Sequence, residues 1–158
     1  MESKLENLDH LDFQILVHLG SNARVTWTEL SAHLSLSAPA ITERVRKLEE
    51  RGVIRGYTVL LEPELLGCEL LAFIAVQITD AKSRKIFLER VRTMPEVLEC
   101  HHMSGEDDYW LKVRCAGTKA LERMISQELK SISSGIKTRT SIALSSFKDS
   151  PSLPLRGG

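Results

Sequence analysis

Residues 26–52 have the sequence TWTELSAHLSLSAPAITERVRKLEERG, which predicts two helices joined by a tight turn. Thr26 and Glu29 have the spacing of a capping box at the start of the first helix. After a short turn, Ser37 is placed to cap a longer helix that carries Pro39 in its first turn, where a missing N–H costs little. Apolar residues recur at helical spacing along both segments: Leu30, Leu34, Ile41, Val45 and Leu48.

The flanking segments extend this pair into a small domain, which we place at residues 1–61. Ahead of the pair, Asp9 can cap a helix over residues 8–20. The apolar stripe of that helix is Leu8, Leu11, Ile15 and Leu19. After the pair, Val53–Leu61 is rich in β-type residues and predicts a short hairpin or wing. Pro and Gly then mark a linker over residues 62–67.

Residues 68–147 alternate strand and helix signals in the order β-α-β-β-α-β. The predicted elements are Leu70–Thr79, Ser83–Met94, Val97–Ser104, Tyr109–Cys115, a helix from Gly117-Thr118 that Gly135 breaks, and Ile136–Ser145. The whole chain is therefore expected to be α+β, with a winged helix-turn-helix domain followed by a ferredoxin-like split βαβ domain. Residues 148–158 are rich in Pro, Ser and Gly and predict a flexible tail.

The composition limits the class of protein. The 158 residues contain 21 basic and 21 acidic side chains, so the formal net charge is zero and no bulk positive field is present. No apolar run approaches the length of a membrane helix, and the N-terminus lacks a secretory signal core. Three widely spaced cysteines suit neither a disulfide framework nor a zinc knuckle. These features predict a cytoplasmic protein with no membrane partner.

Positive charge is concentrated in one part of the first domain. From Ala38 to Leu60 there are five basic and three acidic residues, whereas residues 1–37 contain two basic and five acidic ones. A local basic surface on a helix-turn-helix predicts double-stranded DNA as a partner. The simpler alternative is that these side chains only solvate a helix face and pair with Glu49 and Glu50.

The predicted third helix, Ala38–Arg51, buries its apolar stripe and presents its other residues outward. Small and hydroxyl residues at a helix start allow close approach to base edges, and basic residues further along reach phosphates. We expect Ser37, Ala38, Pro39, Thr42 and Glu43 at or near the bases, and Arg44, Arg46, Lys47 and, from the wing, Arg55 near the phosphates.

Two other clusters allow a chemical interpretation. Cys100 and His102 share one face of a predicted strand, and Cys115 is a third possible metal ligand, but packed strand residues are the simpler interpretation. Residues 106–108 form an acidic turn that could serve acid–base chemistry or a cation, although such turns are mostly solvated. No catalytic motif or phosphate-binding glycine loop is present, so the sequence predicts no catalytic residue, metal or cofactor.

Six short motifs follow one another along residues 8–147. They are Leu8–Leu16 (LDxxDxxIL), Asn22–Arg24 (NxR), Leu36–Glu49 (a recognition helix), Gly52–Tyr57 (G[VI]IxGY), Ser104–Tyr109 ((T/S)GxxDY), and Gly135-Ile136 with Thr138 and Thr140 (the GV and TxT of a closing strand). Each motif is weak alone, but in this order and spacing the chain resembles the Lrp/AsnC (feast/famine) family of bacterial and archaeal transcriptional regulators.

The resemblance implies a DNA-binding domain joined to a ligand-sensing domain. Members of this family dimerise through the sheets of the second domain, often form octamers, and commonly bind an amino acid or a related metabolite between dimers, around the (T/S)GxxDY turn. By position, the implied effector residues are Ser104, Gly105, Asp108, Tyr109, Thr138 and Thr140. The chain departs from the family pattern at Glu106-Asp107 and at Trp110, beside the implied pocket.

The sequence therefore predicts a sequence-specific DNA-binding regulator that responds to an amino acid or a similar small molecule and acts as a dimer or octamer. Two alternatives stay open. One is an enzyme similar to the haem-pathway decarboxylases, which share this two-domain fold and use histidines of the second domain; His101 and His102 are the candidates here. The other is an effector-sensing scaffold whose helix-turn-helix is vestigial.

Overall fold

The computed structural model describes residues 8–155 and divides them into two compact units. The first unit combines the residues up to Leu60 with the segment that begins at Lys148. The second unit runs from Leu61 to Phe147. None of the helices among residues 8–155 has the length and continuous apolar character that a membrane span requires.

Among its described residues the first unit has three helices: α1 (His10–Ser21), α2 (Trp27–Leu34) and α3 (Ala38–Glu50). Each helix contributes members of its predicted apolar stripe to one core, except that Leu11 of α1 is only partly buried and lies outside it. The buried members of that core are Ile15, Leu19, Leu30, Ile41, Val45 and Leu48. Most positions that the sequence assigned to helix interiors therefore meet in this core, with Leu8 and Leu34 partly buried at its edge.

The caps of these helices are those that the sequence predicts. Asp9 accepts a hydrogen bond from the backbone N–H of Asp12, and the Asp12 carboxylate accepts one from the backbone of Asp9, which completes a capping box. Thr26 and Glu29 form a second capping box. Ser37 caps α3 by accepting from the backbone N–H of Ala40. These local hydrogen bonds fix where each helix begins.

Val53–Leu61 contains no strand, so the predicted wing does not form a hairpin in this chain. Its residue types favour a sheet, but a strand also needs a facing strand to complete its hydrogen bonds, and none is present here. Tyr57 instead donates its hydroxyl to the Glu49 carboxylate at 2.8 Å. Burial and the neighbouring Glu49 carboxylate raise the pKa of Tyr57 to about 12.

The second unit is an antiparallel sheet with helices on one face. In chain order its elements are β1 (Leu70–Ile78), α4 (Ala81–Val91), β2 (Val97–His102), β3 (Tyr109–Cys115), α5 (Thr118–Arg123) and β4 (Ile136–Ile142). The strands lie in the order β2-β3-β1-β4, with antiparallel neighbours throughout. This arrangement confirms the predicted split βαβ order. Phe87 of α4 and Leu129, which follows α5, are fully buried against the central strands.

Two helices of the second unit differ from their predicted form. Asp80 caps α4 by accepting from the backbone N–H of Ser83, so the helix starts before the predicted Ser83. After α5 the chain continues as a π-helical segment, Met124–Leu129, and a short 3₁₀ turn. Met124 and Leu129 are both buried at a spacing of five, which a π-helix places on one side.

The predicted flexible tail, residues 148–158, is described as far as residue 155. Residues 148–155 form no helix or strand, but they belong to the first unit. The Ser152 hydroxyl donates to the Gly20 carbonyl at 3.3 Å, and Leu155 lies beside α1 and α2. Composition alone did not reveal this contact, because it depends on a surface more than 100 residues earlier in the chain.

Candidate functional site

The exposed face of α3 carries most of the residues that the sequence assigns to DNA. Seven of the nine are exposed: Ser37, Pro39, Thr42, Glu43, Arg46, Lys47 and Arg55. Ala38 and Arg44 are partly buried. The Thr42 hydroxyl donates to the Ala38 carbonyl at 3.0 Å, so its oxygen lone pairs face outward for a further donor.

Arg44 is held by the N-terminus of α1. Its Nη1 lies 2.7 Å from Asp9 Oδ2 and 2.7 Å from Asp12 Oδ1. The hydrogen bond from the Asp12 backbone, together with the Arg44 guanidinium, lowers the pKa of Asp9. Since Asp12 is buried, this ion pair ties α3 to α1 and uses a donor of Arg44 that the sequence had assigned to phosphate.

Arg46 projects outward but is also paired with acidic residues of its own helix. Its guanidinium donates to Glu43 at 2.7 and 3.0 Å and contacts Glu50. Lys47 lies 3.5 Å from the same Glu43 carboxylate. Hydrogen bonding to Arg46 lowers the pKa of Glu43 to about 2. The face is therefore a solvated network of alternating charges, and a phosphate that approaches it competes with these carboxylates for Arg46.

The acidic turn in the second unit is anchored through Asp108. Its Oδ2 accepts from the backbone N–H of Ile78 at 2.6 Å, and its Oδ1 accepts from Arg84 at 3.2 Å. The Asp108 backbone N–H donates to Val76, and its carbonyl accepts from Met103. Four bonds thus fix this residue between β1, α4 and the end of β2.

The other two acidic residues of the turn, Glu106 and Asp107, contact β1 and β4. Asp107 lies 2.7 Å from Arg139 of β4, and only about a tenth of its side chain is exposed. The Glu106 carbonyl accepts from the Gln77 amide at 2.9 Å. Gly105 has φ +146°, a conformation that side chains disfavour. Among residues 8–155 no cluster of three metal-ligating side chains occurs.

The predicted effector residues lie near one end of the sheet, on its helix-covered side. The strand register places His102, Tyr109, Val76 and Thr138 in one row across the four strands. The Tyr109 ring is buried and lies about 5 Å from the rings of Phe87 and His102. Thr140, two residues after Thr138 on the same face of β4, is exposed. Ser104 and Gly105 are exposed at the turn.

Trp110 lies on the opposite side of the sheet from Tyr109. Its register partners are Ala75 and His101, and it is 43% exposed. Trp110 thus follows the implied pocket in sequence but faces away from Tyr109. The same alternation places Cys100 and His102 on one face, as predicted, while Cys115 lies at the other end of β3, beside Leu70.

Sequence reasoning missed the arginines that hold the turn. Arg84 and Arg139 lie 24 and 32 residues from their acidic partners, and no local spacing connects them. It also assigned Asp9 and Asp12 only to a helix cap. The paired acids at the start of α1 offered one signal, since a buried carboxylate requires a cation or several donors nearby.

Comparison with known proteins identifies both units. Residues 8–55 match a family model described as winged helix-turn-helix DNA-binding, and residues 71–153 match the Lrp/AsnC ligand binding domain. The chain is 35% identical over 142 residues to the HTH-type transcriptional regulator LrpA of Mycobacterium tuberculosis, covering 90% of this chain and 93% of that protein.

Further similarities extend over nearly the full length. The leucine-responsive regulatory protein of Escherichia coli K12 is 33% identical over 153 residues, covering 96% of this chain and 93% of the relative. A crystal structure of a transcriptional regulator from Neisseria meningitidis in complex with L-Met superimposes with a TM-score of 0.89 at 37% identity, covering 94% of this chain and 97% of that one.

Proposed function

The chain belongs to the Lrp/AsnC family and is a ligand-responsive, DNA-binding transcriptional regulator, and on this premise we propose how its residues divide the work. The observation that carries the proposal is the exposed polar face of α3. The apolar stripe of the same helix is buried in the core of the three-helix unit. In this arrangement α3 enters the major groove, and its first turn lies closest to the bases.

Within α3, the direct contacts fall to the exposed residues. Ser37, Pro39, Thr42 and Glu43, with the backbone at Ala38, approach base edges. Arg46, Lys47 and Arg55 approach phosphates. Arg44 has a positioning role in this proposal, because its guanidinium joins α3 to the carboxylates at the start of α1.

Binding then involves an exchange of anions at Arg46. In the free protein its partners are Glu43 and Glu50. A phosphate replaces a carboxylate at the guanidinium, and the cost of ordering the side chain is reduced because the ion pairs already hold it in place. This exchange makes the net gain per arginine modest, which suits a protein with zero net charge.

A second copy of the chain is the partner that we propose for the open face of the sheet. Phe73 and Trp110 are 37% and 43% exposed there. Leu144 and Phe147, which follow β4, are each 98% exposed. An apolar surface of this kind favours association, and a dimer places two α3 helices about 34–36 Å apart, on successive major grooves of a pseudo-palindromic site. Octamers would join several such sites.

An amino acid or a similar small metabolite is the effector class that we propose for the turn around Gly105. The relatives support this class, since one is named for leucine and one was solved with L-Met. Asp107 and Asp108 are already engaged by arginines and by backbone N–H groups, so they order the turn. Ser104, Gly105, Thr138 and Thr140 then supply the surface that the effector meets, and the buried Tyr109 lies in the same row of the sheet as Thr138. The proposal involves no cofactor and no catalysis, and it places the protein in the cytoplasm.

Selection of genomic fragments by the purified full-length chain tests this proposal. The protein is incubated with fragmented genomic DNA, with and without a panel of the twenty amino acids, and the bound fragments are sequenced. We expect enriched pseudo-palindromic sites whose occupancy changes with at least one amino acid. Enrichment no greater than for a variant with Thr42→Asp and Arg46→Glu would contradict DNA binding and favour the scaffold, and coloured, haem-containing protein would favour the enzyme.

A further inference from the structure

The outer side of α1 forms an apolar groove with α2 that the DNA-binding role does not use. Phe13 and Val17 from α1 and Leu34 from α2 line it, together with the stacked rings of His18 and His33, whose centroids are 5.2 Å apart. Val17 is still 42% exposed with Leu155 in the groove.

The occupant of this groove is the C-terminal segment of the same chain, residues 148–155. Leu155 lines the groove beside Phe13 and Leu34 and is 37% exposed, whereas Leu153, two residues earlier, is 77% exposed. The contrast shows that the segment directs one leucine into the groove and the other away from it. The Ser152 hydroxyl adds a polar contact to the Gly20 carbonyl near the end of α1.

The segment has features that reduce the cost of docking. Pro151 and Pro154 restrict its backbone, so that fewer conformations are lost when it is ordered. It also has internal hydrogen bonds, from the Ser152 N–H to the Ser150 hydroxyl and from the Leu155 N–H to the Leu153 carbonyl. Although the composition of this segment suggests disorder in isolation, the segment can thus adopt a defined position in the groove.

The contact acts on the helix that positions α3. The Asp9 and Asp12 carboxylates that hold Arg44 belong to the first turn of α1 and its cap. Anything that stabilises α1 therefore also stabilises the platform under the recognition helix.

We propose that residues 148–155 form a strap that docks in the groove between α1 and α2 and stabilises the DNA-binding unit. The effect on the fold stands by itself, while its effect on DNA affinity rests on the function proposed above. The strap contributes no DNA contact of its own, so it acts through the order of α1.

Hydrogen exchange of the full-length chain tests the strap without DNA. Leu155→Asp places a charge in the groove, and Leu153→Asp makes the same chemical change two residues away at an exposed site. We expect amides of α1 to exchange about tenfold faster in Leu155→Asp, since the leucine contact that protects this helix is lost. Exchange in Leu153→Asp should match the parent. Equal α1 protection in the two variants would overturn the proposal.

A cysteine pair tests whether the strap docks at this position, and it shows whether the strap comes from the same chain or from a second copy. The Ser152 hydroxyl lies 3.3 Å from the Gly20 carbonyl, so Gly20→Cys combined with Ser152→Cys places two thiols on neighbouring segments, where mild oxidation can join them. We expect a disulfide within one chain, seen as a reducible band at monomer mobility, that neither single variant forms. A disulfide only between two chains, or none, would overturn the intramolecular strap.

DNA binding provides the last comparison. We expect Leu155→Asp to bind a selected fragment several-fold more weakly than Leu153→Asp, with an unchanged dependence of affinity on salt, because no phosphate contact is lost. A reduced salt slope would contradict an indirect role. If the parent chain binds no DNA, the proposed function fails, and the exchange and disulfide results still decide whether the strap exists.

Discussion

Arg44 and Arg46 lie two residues apart on α3 but have different carboxylate partners. Arg44 bonds to acids of α1, 32 and 35 residues earlier in the chain, and joins two elements. Arg46 bonds to Glu43 and Glu50 of its own helix and is half exposed. Removing the first residue should therefore disturb folding, and removing the second should disturb DNA binding.

Arg46→Ala should weaken binding to every DNA sequence and lower the salt slope of log affinity by about one. It also leaves Glu43 and Glu50 facing the phosphates, which weakens binding further. Arg44→Ala is the matched comparison, for which we expect an unchanged slope and a lower midpoint of urea unfolding. Fluorescence anisotropy at several salt concentrations measures the slope. A slope equal to the parent's in Arg46→Ala would remove that residue from the phosphate contacts.

Asp9 gives the first unit a pH dependence whose sign follows from its environment. Its folded-state pKa lies below the ordinary value of 3.8, chiefly through the hydrogen bond from the Asp12 backbone N–H and then through Arg44. The stabilisation is therefore present above pH 3.8 and is lost as the pH falls through the lower folded-state pKa. Asp9→Asn keeps a capping side chain but does not titrate.

We expect the difference in melting temperature between the parent and Asp9→Asn to be largest near neutral pH and to shrink toward pH 2. Thermal unfolding followed by circular dichroism across this range measures it. Parallel curves for the two proteins would show that the Asp9 charge does not contribute.

At the scale of elements, one close approach limits where β4 can begin. Gly135 stands immediately before this strand, and a Cβ at that position would lie 2.6 Å from Thr79 Oγ1, just after β1. The end of β1 and the start of β4 are paired through Ile78 and Ile136. The glycine that the sequence identified as a helix breaker is thus required by its neighbour across the sheet.

Gly135→Ala should destabilise the second unit by about 1–3 kcal/mol through this overlap. Adding Thr79→Ala removes the opposing oxygen and should restore much of the loss. Gly20→Ala, in a helix with open space, should instead stabilise the first unit by roughly 0.5–1 kcal/mol. Urea unfolding of the three variants tests the assignment. A neutral effect of Gly135→Ala would mean that the loop moves freely.

At the scale of the whole molecule, each unit has a complete core, yet apolar side chains stay exposed on the open side of the sheet and after β4. The proposed dimer covers this surface. Trp110 lies within it, whereas Ile86 on α4 is similarly exposed, at 41%, on the helix side.

Trp110→Glu should shift the oligomer toward monomer, because a charge would be buried at the interface. Ile86→Glu is the control and should retain the parent's mass. Light scattering after size-exclusion chromatography measures both, and circular dichroism confirms that the folds are intact. Dissociation by Ile86→Glu with no effect of Trp110→Glu would place the interface on the helix side instead.

What the sequence by itself determined lies within a few residues along the chain. The cap at Ser37, the stripe of Ile41, Val45 and Leu48, and the alternation of β3 follow from hydrogen bonds and side-chain periods that repeat over short distances. The order of the elements then restricted the second unit to one common sheet topology.

Only the tertiary structure decided which distant groups meet. Four features depend on how elements pack: the carboxylate partners of Arg44, the arginines that bind the acidic turn, the side of the sheet on which Trp110 lies, and the groove that Leu155 contacts. The missing hairpin at Val53–Leu61 has the same origin, because a strand forms only where another strand faces it. Local propensity biases a segment toward helix or strand, but long-range contacts decide which of these it forms. The energies of those contacts depend on distances in the folded chain, which residue spacing in the sequence does not give.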